Sequence, residues 1–370
     1  MIVPFEMPYD AEQVADLRAR LARTRWTDSV VDDWRMGTER GFLRQLVAFW
    51  GDQYDWAQRR EQLNRLPHFR ATIDGHGLHF LHFRSDASHA IPLLLMNGWP
   101  SSFVEFQRLA PLLTQGSPAF EVVIPTMPGF GYSDIPAVPY GAEPVNLYPR
   151  LMSLLGHRQF MVAGTDIGSG LATRIALHHP DRVIAAHVSA VAPKPLAKDS
   201  PPQTPAEVDY EHRLQAWSRE EGGYQAIQSS RPQTLAFGLA DSPVGLASWI
   251  VEKFRAWTDC DGDLLSVWPL ETLLDTLMIY WTTNTIGSSI RYYYDATRLR
   301  PPLAADDFVR APTAVAMWPH DLALAPRELA ERLYNVRHYT VFPRGGHFPA
   351  WEAPDLYAED LRKIALTAAP

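Results

Sequence analysis

From residue 91 onward the chain repeats one unit: an apolar run of strand length, then a stretch with helix-like spacing. The runs cover residues 91–96, 120–124, 159–163 and 183–188. They do not alternate apolar with polar positions, so each strand expects cover on both faces. Helices between such strands supply that cover in a mostly parallel sheet. The helical stretch 171–178, for example, is stopped by Pro180. The rhythm breaks at residues 193–205, where Pro193, Pro195, Pro201, Pro202 and Pro205 crowd together. From there to about residue 304 the chain reads as aromatic-rich helices without strand periodicity, closed by Arg300-Pro301-Pro302. Strand patterns resume at 313–317 and 338–342, before a last helix over 354–366. A helical insertion within an α/β sheet reads as a lid.

Upstream, Asp10 caps a predicted helix whose Val14, Leu17 and Leu21 share one face. A second stripe runs through Phe42, Leu43, Leu46, Val47 and Trp50. A hairpin follows, with Phe69, Ala71 and Ile73 leading to an Asp74-Gly75 turn and a return strand from Leu78. His76, His79 and His82 lie on this return strand, but a spacing of three does not place them on one face. They read as surface or edge histidines, and no metal is expected on them. The resulting division is an N-terminal extension and hairpin (1–85), the first part of the sheet core (86–195), a helical lid (196–304) and the second part of the core (305–370).

Composition excludes several roles. With 370 residues the chain exceeds what one compact core needs, so attached pieces are expected. A net charge of −8 without a concentrated basic run disfavours nucleic acid and anionic membrane as partners. Cys260 stands alone, which leaves neither a disulfide framework nor a cysteine metal site. The start, Met1-Ile2-Val3-Pro4, lacks a signal-peptide pattern, and no stretch approaches the ~20 apolar residues of a membrane span. A soluble cytoplasmic protein is the expectation, with homo-oligomerisation left open.

Gly164-Thr165-Asp166-Ile167-Gly168 follows an apolar strand and precedes a helix. That is the setting of a nucleophile elbow, with Asp where Ser is more familiar. The competing reading is an ordinary turn whose Asp caps the helix. His347 follows Gly345-Gly346 after the last strand pattern, and Asp321 follows the strand before it. Nucleophile, acid and histidine thus occur in the chain order this architecture expects. Asn97-Gly98-Trp99-Pro100 ends the first parallel strand, where a backbone N–H of Trp99 could join that of Ile167 in holding an oxyanion. Tyr224 and Tyr293 sit in the helical insertion; a phenol with a pKa of about 10 stays protonated and can donate to an ether oxygen. On residue type alone, each is equally a packing tyrosine.

With these motifs in view, the sequence resembles the microsomal-type epoxide hydrolases and their bacterial soluble relatives, over nearly its whole length. The likeness is carried by Leu17-Arg18-Ala19-Arg20-Leu21, Arg25-Trp26, Tyr54-Asp55-Trp56, Pro67-His68-Phe69 and Ile73-Asp74-Gly75. It continues in Asp241-Ser242-Pro243-Val244-Gly245-Leu246, Glu252-Lys253-Phe254 and Tyr280-Trp281-Thr282-Thr283. The resemblance implies an α/β-hydrolase fold, Asp166 as nucleophile, His347 as base and Asp321 as its acidic partner. It also implies Tyr224 and Tyr293 as donors to the epoxide oxygen, with an epoxide and water as reactants and no metal or organic cofactor. Two positions depart from the pattern: Asn97 stands where the family usually has His, and Ile167 where it often has Trp.

The residue type of the nucleophile matters. A serine would give an ether that water does not readily cleave, whereas an aspartate gives a cleavable ester. A haloalkane dehalogenase also uses an aspartate, but commonly needs an indole N–H directly after it, which Ile167 lacks. A catalytically silent binding protein on the same fold is the other alternative. The aromatic content of 12 Trp, 14 Tyr and 16 Phe points to an apolar substrate and leaves detoxification and secondary metabolism equally open.

Overall fold

The computed structural model describes residues 1–139, 141–322 and 324–368. Positions 369 and 370, the end of the last expected segment, lie outside the described residues. The described strands are β1 (Ile2–Pro4), β2 (His68–Ile73), β3 (His76–Phe83), β4 (Ile91–Met96), β5 (Phe120–Pro125), β6 (Phe160–Gly164), β7 (Val183–Val188), β8 (Val309–Met317) and β9 (Tyr334–Val341). They form one sheet in the order β1-β2-β3-β5-β4-β6-β7-β8-β9. Pairing is antiparallel from β1 to β5 and parallel from β5 through β9. Strands β4, β5, β6 and β7 are buried almost throughout, as their unbroken apolar runs require.

The β2–β3 turn is the Asp-Gly type read from the sequence: Asp74 and Gly75 have φ of 51° and 82°. Two positive values in succession are what a two-residue hairpin turn demands. The histidine expectation needs correcting, however. His79 is fully buried and His82 is 4% exposed, because β3 pairs on both sides, with β2 and with β5. Only His76 is half-buried. Alternation along the strand does separate His79 from the other two, as expected.

Helices α1 (Ala11–Ala22), α2 (Arg40–Asp52) and α3 (Trp56–Leu63) precede β2. Next come α4 (Leu109–Leu113), α5 (Pro144–Leu154) and α6 (Ile167–His178), which link the parallel strands. Between β7 and β8 lie α7 (Pro205–Glu220), α8 (Gly223–Ser230), α9 (Pro232–Asp241), α10 (Pro243–Trp257), α11 (Leu270–Thr283) and α12 (Ile286–Arg298). Helix α13 (Arg327–Glu331) joins β8 to β9, and α14 (Pro349–Glu352) and α15 (Pro354–Ala368) end the chain. Asp10 caps α1 as read from the sequence, accepting from the N–H groups of Glu12 and Gln13.

The N-terminal helices grip the insertion. Asp275 on α11 is fully buried and accepts from Tyr54 Oη at 2.9 Å and Arg59 Nε at 3.0 Å. Gln13 Nε2 donates to the Thr282 carbonyl at 3.0 Å. A buried carboxylate with two donors is specified tightly, since losing either partner leaves a charge unpaired.

The sheet also fixes where a site can form. β4 lies between β5 and β6, so the strand order reverses there, and the carboxyl ends beside such a reversal leave a crevice. Met96, at the end of β4, is in register with Gly164, at the end of β6. The loops carrying Asn97–Pro100 and Asp166 therefore emerge side by side. Among the described residues no single helix is long and apolar enough to cross a membrane.

Candidate active site

Asp166 sits on a sharp turn between β6 and α6 with φ 50° and ψ −129°, a strained backbone for a residue with a Cβ. Its neighbours explain why glycine is required around it. A Cβ on Gly164 would lie 2.2 Å from the Gly168 carbonyl carbon, and one on Gly168 2.4 Å from the Met96 carbonyl oxygen. A Cβ on Gly98 would fall 1.8 Å from Asp166 Oδ1. Ser169 pins the turn from within, donating to Gly164 O at 2.7 Å and accepting from Ser189 N–H at 2.9 Å.

The helix-cap reading of Asp166 fails, since its side chain makes no cap bond to α6. Instead Oδ1 accepts from the Trp99 N–H at 2.9 Å, and Oδ2 lies 3.1 Å from His347 Nε2. Ile167 opens α6, so its N–H belongs to the first helical turn, whose donors have no intrahelical acceptor. Of the two backbone donors read from the sequence, the Trp99 N–H thus meets the carboxylate at Oδ1.

His347 and Asp321 emerge on the loops after β9 and β8. His347 Nδ1 lies 2.6 Å from Asp321 Oδ1, which also accepts from the Leu322 N–H at 2.7 Å. Asp321 accepts only, so Nδ1 carries the proton and Nε2 faces Asp166. Burial opposes a charge on the imidazole, yet Asp321 and Asp166 together outweigh it and hold its pKa well above the ordinary histidine value.

A residue that the sequence reading missed holds the histidine loop. Glu352 accepts from the N–H groups of Gly346 at 2.9 Å, Phe348 at 2.8 Å and Asp259 at 2.7 Å. Burial pushes its carboxyl up to about 7, against those three donors. The His347 N–H donates to Trp257 O at 2.8 Å, tying the same loop to α10. The only sequence signal for Glu352 is its position five residues after His347, which by itself is silent.

Tyr224 on α8 and Tyr293 on α12 face each other, with ring centroids 5.9 Å apart at 81°. Burial raises both phenols, and the Asp166 charge raises them further, so both stay protonated. Trp99 stacks on Tyr224 at 5.5 Å and meets Tyr293 edge-on at 6.1 Å. Trp257 touches Tyr224 at 5.1 Å and His347 at 4.9 Å. These four rings make a nearly continuous apolar wall from the phenols to the imidazole, a low-dielectric lining in which charge interactions are stronger. The part played by the Trp257 ring was not legible in the sequence either.

Asn97 donates from Nδ2 to the Ser102 carbonyl at 2.8 Å and so braces the loop that presents the Trp99 N–H. Beneath it lies Glu105, fully buried, which accepts from Ser101 Oγ at 2.6 Å. Burial raises this carboxyl to about 7.

Comparison with known proteins gives the family of the chain. The family described as epoxide hydrolase N terminus matches residues 2–106, and the alpha/beta hydrolase fold family matches residues 91–301. The chain is 37% identical, over 98% of its length and 84% of the relative's, to a Stigmatella aurantiaca (strain DW4/3-1) protein provisionally assigned as an epoxide hydrolase. It is 32% identical to epoxide hydrolase 1 of Sus scrofa, over 98% of this chain and 88% of that one. The crystal structure of juvenile hormone epoxide hydrolase from Bombyx mori superposes with a TM-score of 0.90 at 29% identity, covering 100% of this chain and 95% of that chain.

Proposed function

The chain belongs to the epoxide hydrolase family of the α/β-hydrolase superfamily, and we propose that it opens an apolar epoxide by covalent catalysis with Asp166 as nucleophile. The observation that carries this reading is the hydrogen-bonded chain Asp166–His347–Asp321, with two protonated phenols near its free end.

In the first half-reaction Tyr224 and Tyr293 donate to the epoxide oxygen while Asp166 Oδ2 attacks a ring carbon from the opposite face. The carbon–oxygen bond breaks, and the developing alkoxide takes a proton from the phenol pair. Oδ2 is the attacking oxygen in this scheme because Oδ1 is already held by the Trp99 N–H. The product is an ester, which divides one difficult hydrolysis into two easier steps.

In the second half-reaction Oδ2 has become an ester oxygen and no longer pairs with His347. With the Asp166 charge gone, Nε2 yields its proton to the phenolate left by the first step and then takes one from water, and the hydroxide attacks the Asp166 carbonyl carbon. Charge builds on Oδ1, where the Trp99 and Ile167 N–H groups stabilise it, each donor contributing about 3 kcal/mol in comparable sites. Asp321 holds the imidazolium that forms. The ester bond breaks, the added hydroxyl gives its proton to the departing alkoxide, a vicinal diol leaves and the carboxylate is restored.

Residues 196–304 act as the lid over this chemistry, braced by the extension 1–85, and the aromatic wall of Trp99 and Trp257 favours an apolar substituent on the epoxide. A single turnover in H₂¹⁸O tests the covalent step. The scheme predicts a diol free of ¹⁸O, with the label in Asp166; label in the diol would mean direct attack by water and would overturn it.

A further inference from the structure

At the opposite end of the sheet three side chains meet that the chemistry above does not use. His82 is near the end of β3, Glu121 is the second residue of β5, and His157 is on the turn between α5 and β6. Their ligand atoms all lie within 4.8 Å of one another. His82 Nε2 is 2.6 Å and His157 Nε2 is 3.3 Å from the same oxygen, Glu121 Oε1. Glu121 pairs with Pro92 on β4, four residues before Met96, where the active-site loop begins. At the usual strand rise that is about 13 Å away along the strand.

A hydrogen-bonded triad accounts for only part of this cluster. The His82–Glu121 contact is an ordinary charge-assisted bond. The His157 Nε2 atom is buried and makes no hydrogen bond among the described residues, although it is aimed at the same carboxylate. A buried polar atom left unmatched beside two potential ligands calls for a partner.

We infer that His82, Glu121 and His157 form a second site, one that binds a Zn²⁺-type divalent cation and ties β3, β5 and the lead into β6 together. Two imidazoles and one carboxylate are a donor set such an ion accepts, with water completing a tetrahedron. Bonds of ~2.1 Å in that geometry separate ligand atoms by about 3.4 Å. The His157–Glu121 spacing already matches, and His82 and Glu121 would part by about 0.8 Å. The side chains of Glu121 and His157 are 24% and 13% exposed, which leaves a route for the ion and its water. At this distance from Asp166 the ion would be structural.

Titration of the metal-free protein with ZnCl₂, by calorimetry and by thermal melting, tests the site. One equivalent should bind, with Tm rising by roughly 2–5 °C at saturation. His157→Asn and Glu121→Gln should each weaken binding at least about tenfold while keeping the metal-free Tm and epoxide turnover. A His347→Gln control should bind as the unmodified protein does, which separates this site from the active site. No binding at millimolar Zn²⁺, or undiminished binding in both His157→Asn and Glu121→Gln, would overturn the inference.

Discussion

His347 Nε2 lies 3.1 Å from Asp166 Oδ2, so the group that must later activate water begins the cycle paired with the nucleophile. This contact couples the two half-reactions. While Asp166 carries its charge, His347 is held cationic; once Asp166 becomes an ester, that charge is gone and the imidazole moves toward its ordinary value.

The coupling predicts different pH profiles for the two steps. Ester formation does not call on His347 as a base and should persist at mildly acidic pH. Ester hydrolysis should fall as the pH is lowered and His347 becomes protonated, so the ester accumulates on the acid side. Rapid-quench mass spectrometry across pH 5–9 (roughly the span in which a free imidazole titrates) measures both rates. Identical profiles for the two steps would contradict the coupling.

Stability should also depend on pH through the buried groups. The folded-state pKa of His347 is raised, so its contribution is complete below the unfolded value of about 6.5 and is lost as pH rises through the folded value. Glu105 is raised from 4.5 to about 7, so the folded state holds its proton longer than the unfolded chain and stability declines across that window. That decline amounts to about 3 kcal/mol for this shift. Glu105→Gln should remove this part of the slope, as measured by urea melts between pH 5 and 8 against the unmodified protein. An unchanged slope would refute the assignment.

The phenols should act on the first step only. Tyr224→Phe or Tyr293→Phe should each slow ester formation by about 10–100-fold, and the double variant by more than either alone. Trp99 and Trp257 adjoin the phenols, so stopped-flow tryptophan fluorescence can follow the step. Hydrolysis of preformed ester should change less than threefold, on the order of what an indirect packing change costs.

Glu352 should prove to be a positioning residue. Glu352→Ala leaves three backbone N–H groups without acceptors and should destabilise the protein by about 2–4 kcal/mol. It should also slow hydrolysis more than ester formation, since it frees the His347 loop. Glu352→Gln keeps one acceptor oxygen and should restore part of both. Equal slowing of the two steps would indicate a purely structural role.

Much of the fold was legible because it depends on local patterns. The apolar runs at 91–96 and 183–188 coincide with β4 and β7, and Asp74-Gly75 makes the hairpin turn it implied. The elbow was legible through its glycines, whose absent Cβ atoms let Gly164 pack on Gly168 and Gly168 on Met96. The burial of His79 and His82 was not, because it depends on β5 pairing with β3 across some forty residues. Glu352 was also invisible: it acts through backbone N–H groups, which any sequence supplies. Trp257 and Trp99 are brought together only by the folding of α10 over the sheet.

The most direct test of the mechanism is intact-protein mass after mixing a His347→Gln variant with a panel of apolar epoxides, followed by peptide mapping. Removing the base should stall the second half-reaction and leave an adduct of one epoxide mass on Asp166. An adduct mapping to another residue, or diol formation by this variant at the unmodified rate with no adduct, would contradict the account.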